Sequence, residues 1–461
     1  MLRNMFPNNV EYSMTQKSGK DSLREIRSGS VLLIEKPFAF VLKSSLRAER
    51  CAFCLKTGKL SRCSGCQFCY YCGRECQKSA WLDHKYECHL LKKISPRVVP
   101  DAAMLVARII FKLQRGADQE MGFYSDNTYR KFRDLMSHYP DIKKDDQRMQ
   151  HFASICGVLL DYIGAANLPN HAELMGIYGR MCINGFSILD PEMHGIGTGI
   201  YLGASVIDHS CCPNAVAVFD GTKIYIRAVE DIPSPDWNKV FIAYIDTLNY
   251  ATDRQAELQQ TYYFTCSCLK CKDIEEACLM DSMLCPNSKC GAPVSHTYGI
   301  KSKCPECGTD ISQELIDEYQ NASSFTERHL NDMKEYCYLD VCISCLKKQE
   351  GLFHPYNLQH VKTLDMAFET AIQMGLFTQA RKYGEELIPG LRKYYGERHP
   401  LLGISLMKCG KICVYLGDFS AARNKLEEAE HVIKITHGVN HILYKSELEP
   451  LLLTCHVELK S

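Results

Sequence analysis

Apolar and polar positions divide the chain into segments of different period. Residues 30–42 (SVLLIEKPFAFVL) are dense in β-branched and aromatic side chains around one proline, which predicts strand. Ala102, Ala103, Leu105, Val106, Ile109, Ile110 and Leu113 recur at helical spacing, and residues of about 100–180 follow the same habit. A hairpin is predicted from Ala215–Phe219, the Asp220-Gly221 turn and Lys223–Val229, and a further strand from Val240–Tyr244. The C-terminal third is helical and repetitive. Residues 374–400 align with 416–442 at a shift of 42, with eight identical pairs: Gly375/Gly417, Phe377/Phe419, Ala380/Ala422, Arg381/Arg423, Glu385/Glu427, Glu386/Glu428, Gly396/Gly438 and His399/His441. Such a repeat, with Gly at the turn and Ala on the packing face, reads as tetratricopeptide-like, and the paired histidines read as turn caps rather than metal ligands. The best apolar stretch, Phe152 to Leu168, is broken by Asp161, so no membrane span is expected.

Composition changes this picture in one respect. Of 461 residues, 26 are cysteine. The N-terminus lacks the apolar core of a secretory signal, which favours a reducing compartment, where clustered cysteine means metal. Lys+Arg and Asp+Glu are equal at 54 each, so bulk attraction to nucleic acid or anionic membrane is not expected.

Most of the clustering lies between residues 51 and 88. Cys51, Cys54, Cys63, Cys66, Cys72, Cys76, His84 and Cys88 are separated by gaps of 2, 8, 2, 5, 3, 7 and 3 residues. Short pairs supply two ligands from one turn, and four pairs make two tetrahedral zinc sites. Alternate pairing is expected: Cys51, Cys54, Cys72 and Cys76 on one ion, and Cys63, Cys66, His84 and Cys88 on the other. Cys69 fits no gap and reads as a bystander. The spacing resembles the MYND finger, an interleaved two-zinc module that binds protein partners. A second cluster, Cys266, Cys268 and Cys271, lacks a fourth ligand, for which Cys211 is the candidate. A third, Cys285, Cys290, Cys304 and Cys307, has a Gly after each pair (Gly291, Gly308) and reads as a zinc ribbon, a fourth zinc site beside three expected ones, with four unpaired surface thiols as the alternative. Cys156, Cys182, Cys342, Cys345, Cys409 and Cys413 read as small core residues.

Zero net charge also conceals an asymmetry. Between Lys43 and Arg97 there are 12 basic and four acidic residues, and two zinc sites with seven thiolates bring the folded module near +5. A solvated face and a docking surface for acidic partners both fit, with weak DNA binding a third expectation.

Around the second cluster the order of segments is Asn184-Gly185-Phe186-Ser187, Gly197-Thr198-Gly199-Ile200-Tyr201, then Ser205 through Asp208-His209-Ser210-Cys211-Cys212-Pro213-Asn214, followed by the predicted hairpin and strand. This order resembles a SET domain with its post-SET zinc cluster, and together with the finger the whole chain is similar to the SMYD family of protein lysine methyltransferases, in its shorter form. The resemblance implies an α+β fold: a split SET β-fold with an inserted MYND finger and a helical insert, a post-SET zinc cluster and a C-terminal tetratricopeptide-like domain. The implied boundaries are 1–50 (N-terminal SET), 51–88 (MYND), 89–182 (helical insert), 183–250 (core SET), 251–310 (post-SET cluster and ribbon) and 311–461 (helical domain).

For chemistry, the resemblance implies S-adenosylmethionine as cofactor, held by Asn184, Ser205, Asp208, His209 and Phe264. Tyr244 is the implied active-site tyrosine, and Phe186 and Tyr262 are the implied lysine-channel residues. A segment threaded past Tyr244 is implied as well, contrary to the usual rule against threading. The implied partners are protein substrates, histone or non-histone, and proline-containing peptides at the finger. The implied setting is nuclear and cytoplasmic, with a role in transcriptional regulation, no membrane, and a monomeric chain.

Three departures from the family pattern keep a non-catalytic adaptor as the alternative. The family's Gly-x-Gly turn is Gly19-Lys20-Asp21-Ser22-Leu23-Arg24 here, Asp208 replaces Asn, and a Gly-Glu-Glu turn is replaced by Ser234–Lys239.

Overall fold

The computed structural model describes residues 11–12, 25–295, 303–333 and 337–460. The Gly19–Arg24 stretch lies outside them. The chain divides into two compact units, one from the described parts of Met1–His209, Pro213–Ile242 and Leu258–Phe264, the other from Ser210–Cys212, Ala243–Glu257 and Thr265–Ser461.

The first unit is built on small sheets. Glu11–Tyr12, Val31–Glu35, Lys223–Ala228 and Ala215–Asp220 form one antiparallel sheet in that spatial order. Ala39–Leu42, Gly195–Ile200 and Gly185–Leu189 form another. The strand-like run 30–42 is therefore two strands in two sheets. Pro37, which has no backbone donor, lies in the break between them. The predicted hairpin is present, with Ala215 paired to Ala228 and Asp220 to Lys223.

The strand expected over Val240–Tyr244 is shorter. Only Phe241–Ile242 pairs, parallel to Asp208–His209, and Tyr244 sits in a bend beyond it. Two residues are too few to hold a parallel ladder unaided. The Asn214 side chain reinforces this one: its Nδ2 donates to Lys239 O (2.7 Å) and its Oδ1 accepts from Phe241 N (2.8 Å).

Helices fill the segment between the finger and the core strands. Asp101–Gln114 turns Ala103, Leu105, Val106, Ile109 and Ile110 into the same core as Phe152, Leu159 and Tyr178 from Asp146–Ile163 and His171–Asn184. The segment is not helical throughout. The apolar period lapses after Leu113, and a hairpin of Gly122–Phe123 with Tyr129–Arg130 intervenes.

In the second unit, Ser282–Leu284 pairs with Pro293–Ser295 above a small core of Met283, Val294, Ile316, Tyr319 and Phe353. Helices follow from Gln313–Asp332 to Glu449–Glu458. The sequence repeat is a structural one. Phe377 and Phe419 each begin a helix, Ala380 and Ala422 are fully buried, and Arg381–Glu385 and Arg423–Glu427 form the same i,i+4 ion pair. His399 Nδ1 accepts from Leu401 N (3.3 Å), and His441 Nδ1 accepts from Leu443 N (3.2 Å), so both histidines are caps. Burial holds the His399 imidazole down at about 4, which keeps Nδ1 an acceptor. Cys342, Cys345, Cys409 and Cys413 are buried core residues, while Cys156 and Cys182 are half-buried. Among the described residues no helix is long and apolar enough to cross a membrane.

Candidate functional site

Among the described residues, sixteen Cys and His side chains fall into four sets of four, and within each set the candidate ligand atoms lie within 4.8 Å of one another. Zinc–sulfur bonds of roughly 2.3 Å place tetrahedral ligands roughly 3.8 Å apart. In the finger, Cys54–Cys72 and Cys72–Cys76 are 3.7 and 3.4 Å apart, and Cys63–Cys88 and Cys66–His84 Nε2 are 3.8 and 3.6 Å apart. The interleaved pairing expected from the gaps is the one observed. Cys285–Cys307 at 3.6 Å and Cys290–Cys304 at 3.8 Å fit the same edge. In this ribbon Gly291 and Gly308 take positive φ (66° and 71°), the left-handed turn that lets each knuckle close. All four sets fit zinc by donor chemistry and spacing.

The second finger site has an outer layer. His84 Nε2 faces the thiols, and Nδ1 donates to Glu87 Oε1 at 3.0 Å. Arg108, from the Asp101–Gln114 helix, grips both Glu87 oxygens (2.7 and 2.8 Å) and donates to Phe40 O (2.7 Å). Burial pushes the Glu87 carboxyl up, but the guanidinium and the histidine outweigh it and hold it at about 2. A carboxylate behind the ligating histidine fixes its tautomer and ring orientation. Cys69 lies 3.8 Å from Nδ1, on the ring edge already committed to Glu87, and so remains outside the tetrahedron.

The post-SET set lies wholly in the second unit. Cys211 Sγ is 3.6 Å from Cys271 and 4.0 Å from Cys266, so the distant cysteine does complete the triad. Arg254, 1% exposed, points Nη2 at Cys271 Sγ (3.6 Å) and at Lys270 O (3.3 Å). Four thiolates around Zn²⁺ carry −2, and a buried guanidinium beside them is the counter-charge that this donor set calls for.

The implied cofactor residues all belong to the first unit. Asn184 ends its helix with Nδ2 donating to Met136 O and Arg180 O (2.8 and 2.9 Å), so what it offers a ligand is the acceptor Oδ1. Ser205 Oγ donates to Leu202 O (2.6 Å), and Arg130 Nη1 donates to the Ser205 carbonyl (2.6 Å). Asp208 is exposed, and beside it His209 begins a row of rings: His209 to Phe264 at 5.9 Å, Phe264 to Tyr262 at 6.5 Å. Phe186 meets Tyr201 edge to face at 5.6 Å. Tyr244 belongs to the second unit and is half-buried. The departing 234–239 loop is packed rather than merely superficial, since Trp237 Nε1 donates to Tyr124 O (2.9 Å).

Sequence reasoning missed Glu35, Glu87, Arg108, Arg130, Asn214 and Arg254 as contributors. Asn214 was visible as the last letter of a motif. An isolated Glu closing an apolar strand was the only signal for Glu35.

Comparison with known proteins bears on the finger and the helical region. Residues 51–88 match the MYND finger family, and residues 369–431 match the tetratricopeptide repeat. The human histone-lysine N-methyltransferase SMYD3 is 29% identical over 99% of this chain and 100% of its own length. The Arabidopsis thaliana histone-lysine N-methyltransferase ASHR1 is 27% identical over 90% of this chain and 89% of its own. The Xenopus laevis N-lysine methyltransferase SMYD2-A is 27% identical over 92% and 93%. The chain therefore carries a MYND finger and a tetratricopeptide-type helical region, and it is homologous along almost its whole length to the SMYD-type lysine methyltransferases.

Proposed function

We propose that the protein is an S-adenosylmethionine-dependent protein-lysine N-methyltransferase acting on histone or other protein lysines, with a role in transcriptional regulation in nucleus and cytoplasm. The observation that carries this reading is the Asp208–His209 strand lying parallel to Phe241–Ile242 under the Asn214 clamp, in a chain similar from end to end to lysine methyltransferases.

S-adenosylmethionine, when bound, supplies an electrophilic sulfonium methyl. In this reading Asn184 Oδ1, Ser205 and His209 bind the cofactor, Asp208 places a carboxylate where an ammonium can meet it, and the Phe264 ring stacks on the adenine. Phe186 and Tyr262 line the lysine channel. Their rings strip water from the target amine, which must be neutral to react, and their faces tolerate cationic charge. Tyr244 orients the reacting amine with its hydroxyl. The zinc on Cys211, Cys266, Cys268 and Cys271 serves structure, by tying the segment after His209 to the segment after Phe264. The finger recruits proline-containing peptides.

Isothermal titration of the zinc-loaded protein with S-adenosylmethionine tests the reading, and absence of any binding heat would end it. Tyr244→Phe is expected to lower methyl transfer about 100-fold, the usual cost of one preorganised hydroxyl donor. Zinc content and melting temperature should be unchanged. Full turnover by the variant would remove Tyr244 from the mechanism.

A further inference from the structure

Glu35 closes the Val31–Glu35 strand at 3% exposure, in a position that packing alone would give to an apolar residue. Its Oε1 accepts from Gly203 N and its Oε2 from Ala204 N, both at 2.9 Å. One carboxylate thus holds two successive amides across 168 residues of sequence, at the entry to the short 3₁₀ turn Ala204–Val206 that carries Ser205. Arg130 holds the same turn from its other end, through the Ser205 carbonyl. The remaining side is closed by Gly122. A Cβ there would lie 2.4 Å from Leu202 Cβ, 2.5 Å from Gly203 N and 2.7 Å from Glu35 Oε1. The backbone, the turn and the carboxylate therefore fit only with glycine at that position.

We propose that Glu35 is a positioning residue for cofactor binding: by gripping the Gly203 and Ala204 amides, its carboxylate presents Ser205, and protonation of that carboxylate loosens the grip. The inference rests on the reading of Ser205 as a cofactor residue. An ionised carboxylate accepts both N–H groups, whereas the protonated acid turns one oxygen into a donor facing an N–H.

The groups around Glu35 are few. Glu120 adds like charge and is itself bridged to Lys112 at 2.8 Å. Tyr201 is fully buried and stays neutral. The neighbouring strand places the apolar Ile224 opposite. Burial raises the Glu35 carboxyl, against the lowering by the three amides of 202–204, to about 7.

The sign follows from that raised value. The fold prefers the protonated acid, so this group's contribution to stability is full below its ordinary value of 4.5 and is lost as pH rises through about 7. The two-amide grip has the opposite dependence: it is made above about 7 and lost below. Cofactor affinity and fold stability should therefore move in opposite directions with pH, which a purely structural carboxyl would not produce.

The test compares zinc-loaded wild type, Glu35→Gln and Glu35→Asp. S-adenosylmethionine affinity is measured by titration between pH 6 and 8.5, and hydrogen exchange of the 203–205 amides is followed without cofactor and corrected for intrinsic rates. The cofactor's own ammonium titrates equally in all three proteins, so the ratio to Glu35→Gln isolates Glu35. That ratio should rise about tenfold from pH 6 to 8, with a matching slowing of amide exchange, and Glu35→Asp should restore part of the slope. Parallel pH profiles in wild type and Glu35→Gln would overturn the inference while leaving the cofactor reading intact. Binding at no pH would overturn the cofactor reading. The exchange arm still decides the grip: a pH step in wild type alone supports it, and equal exchange overturns it.

Discussion

Cys211→Ser should release one zinc ion of the four that the ligand sets among the described residues fit, and S-adenosylmethionine binding should be lost with it. Cys211 is 3% exposed and contributes the only ligand of its set that lies outside residues 266–271. The other three ligands sit on one turn-and-helix segment and can hold zinc only weakly without it. Structural zinc contributes about 10–16 kcal/mol of apparent binding free energy to a small site. Arg254 adds to the loss. Its guanidinium is buried against Cys271, and once zinc departs and the thiols take up protons, it faces neutral sulfur. The variant should therefore lose metal affinity by more than about 100-fold, beyond the cost of disturbing an outer-layer partner. Native mass spectrometry supplies the count: four ions in wild type, three in the variant, with the finger's two retained. A variant that keeps four ions would refute the assignment of Cys211.

The second large effect is expected at Arg108. Arg108→Met leaves the Glu87 carboxylate buried without its counter-charge, at a site where the guanidinium now holds it at about 2. Removing one partner of a buried ion pair costs about 3–5 kcal/mol. Urea unfolding at neutral pH with zinc in excess should show that loss. The Arg108→Met/Glu87→Gln double variant should recover most of it, since no stranded charge remains and the amide oxygen still accepts from His84 Nδ1. A single-variant cost below about 1 kcal/mol would mean that the pair is solvated and does not brace the finger. Because the same guanidinium also donates to Phe40 O, the damage should reach the Ala39–Leu42 strand, and proteolysis within 39–42 reports it.

Several features were legible because their geometry is local. A Cys-x2-Cys pair is two ligands from one turn wherever the chain goes, so the gaps between residues 51 and 88 mark eight ligands in four pairs. The helical repeat is local in the same way. Phe377 and Phe419 start their helices and His399 and His441 cap the next turn, all through partners within a few residues. The strand endings were not legible. Pro37 marked a break, but nothing within 30–42 says that the halves join different sheets. Nor does Val240–Tyr244 disclose that pairing stops at Ile242, because the length of that strand is set by a partner more than 30 residues earlier.

From its spacing and periodicity alone, the sequence determined which Cys and His residues of 51–88 fall at zinc-ligand spacing and where helices repeat. These depend on turn geometry and period, which act over two to eight residues. Only the tertiary structure decided what holds those parts in register. Glu35 meets the amides of 203 and 204, Arg108 meets Glu87, and Asn214 clamps Phe241, each a contact between segments distant in sequence. The physical reason is desolvation. A carboxylate or amide on its own strand is simply polar, and it becomes a strut only when folding removes its water and leaves one set of partners to replace it.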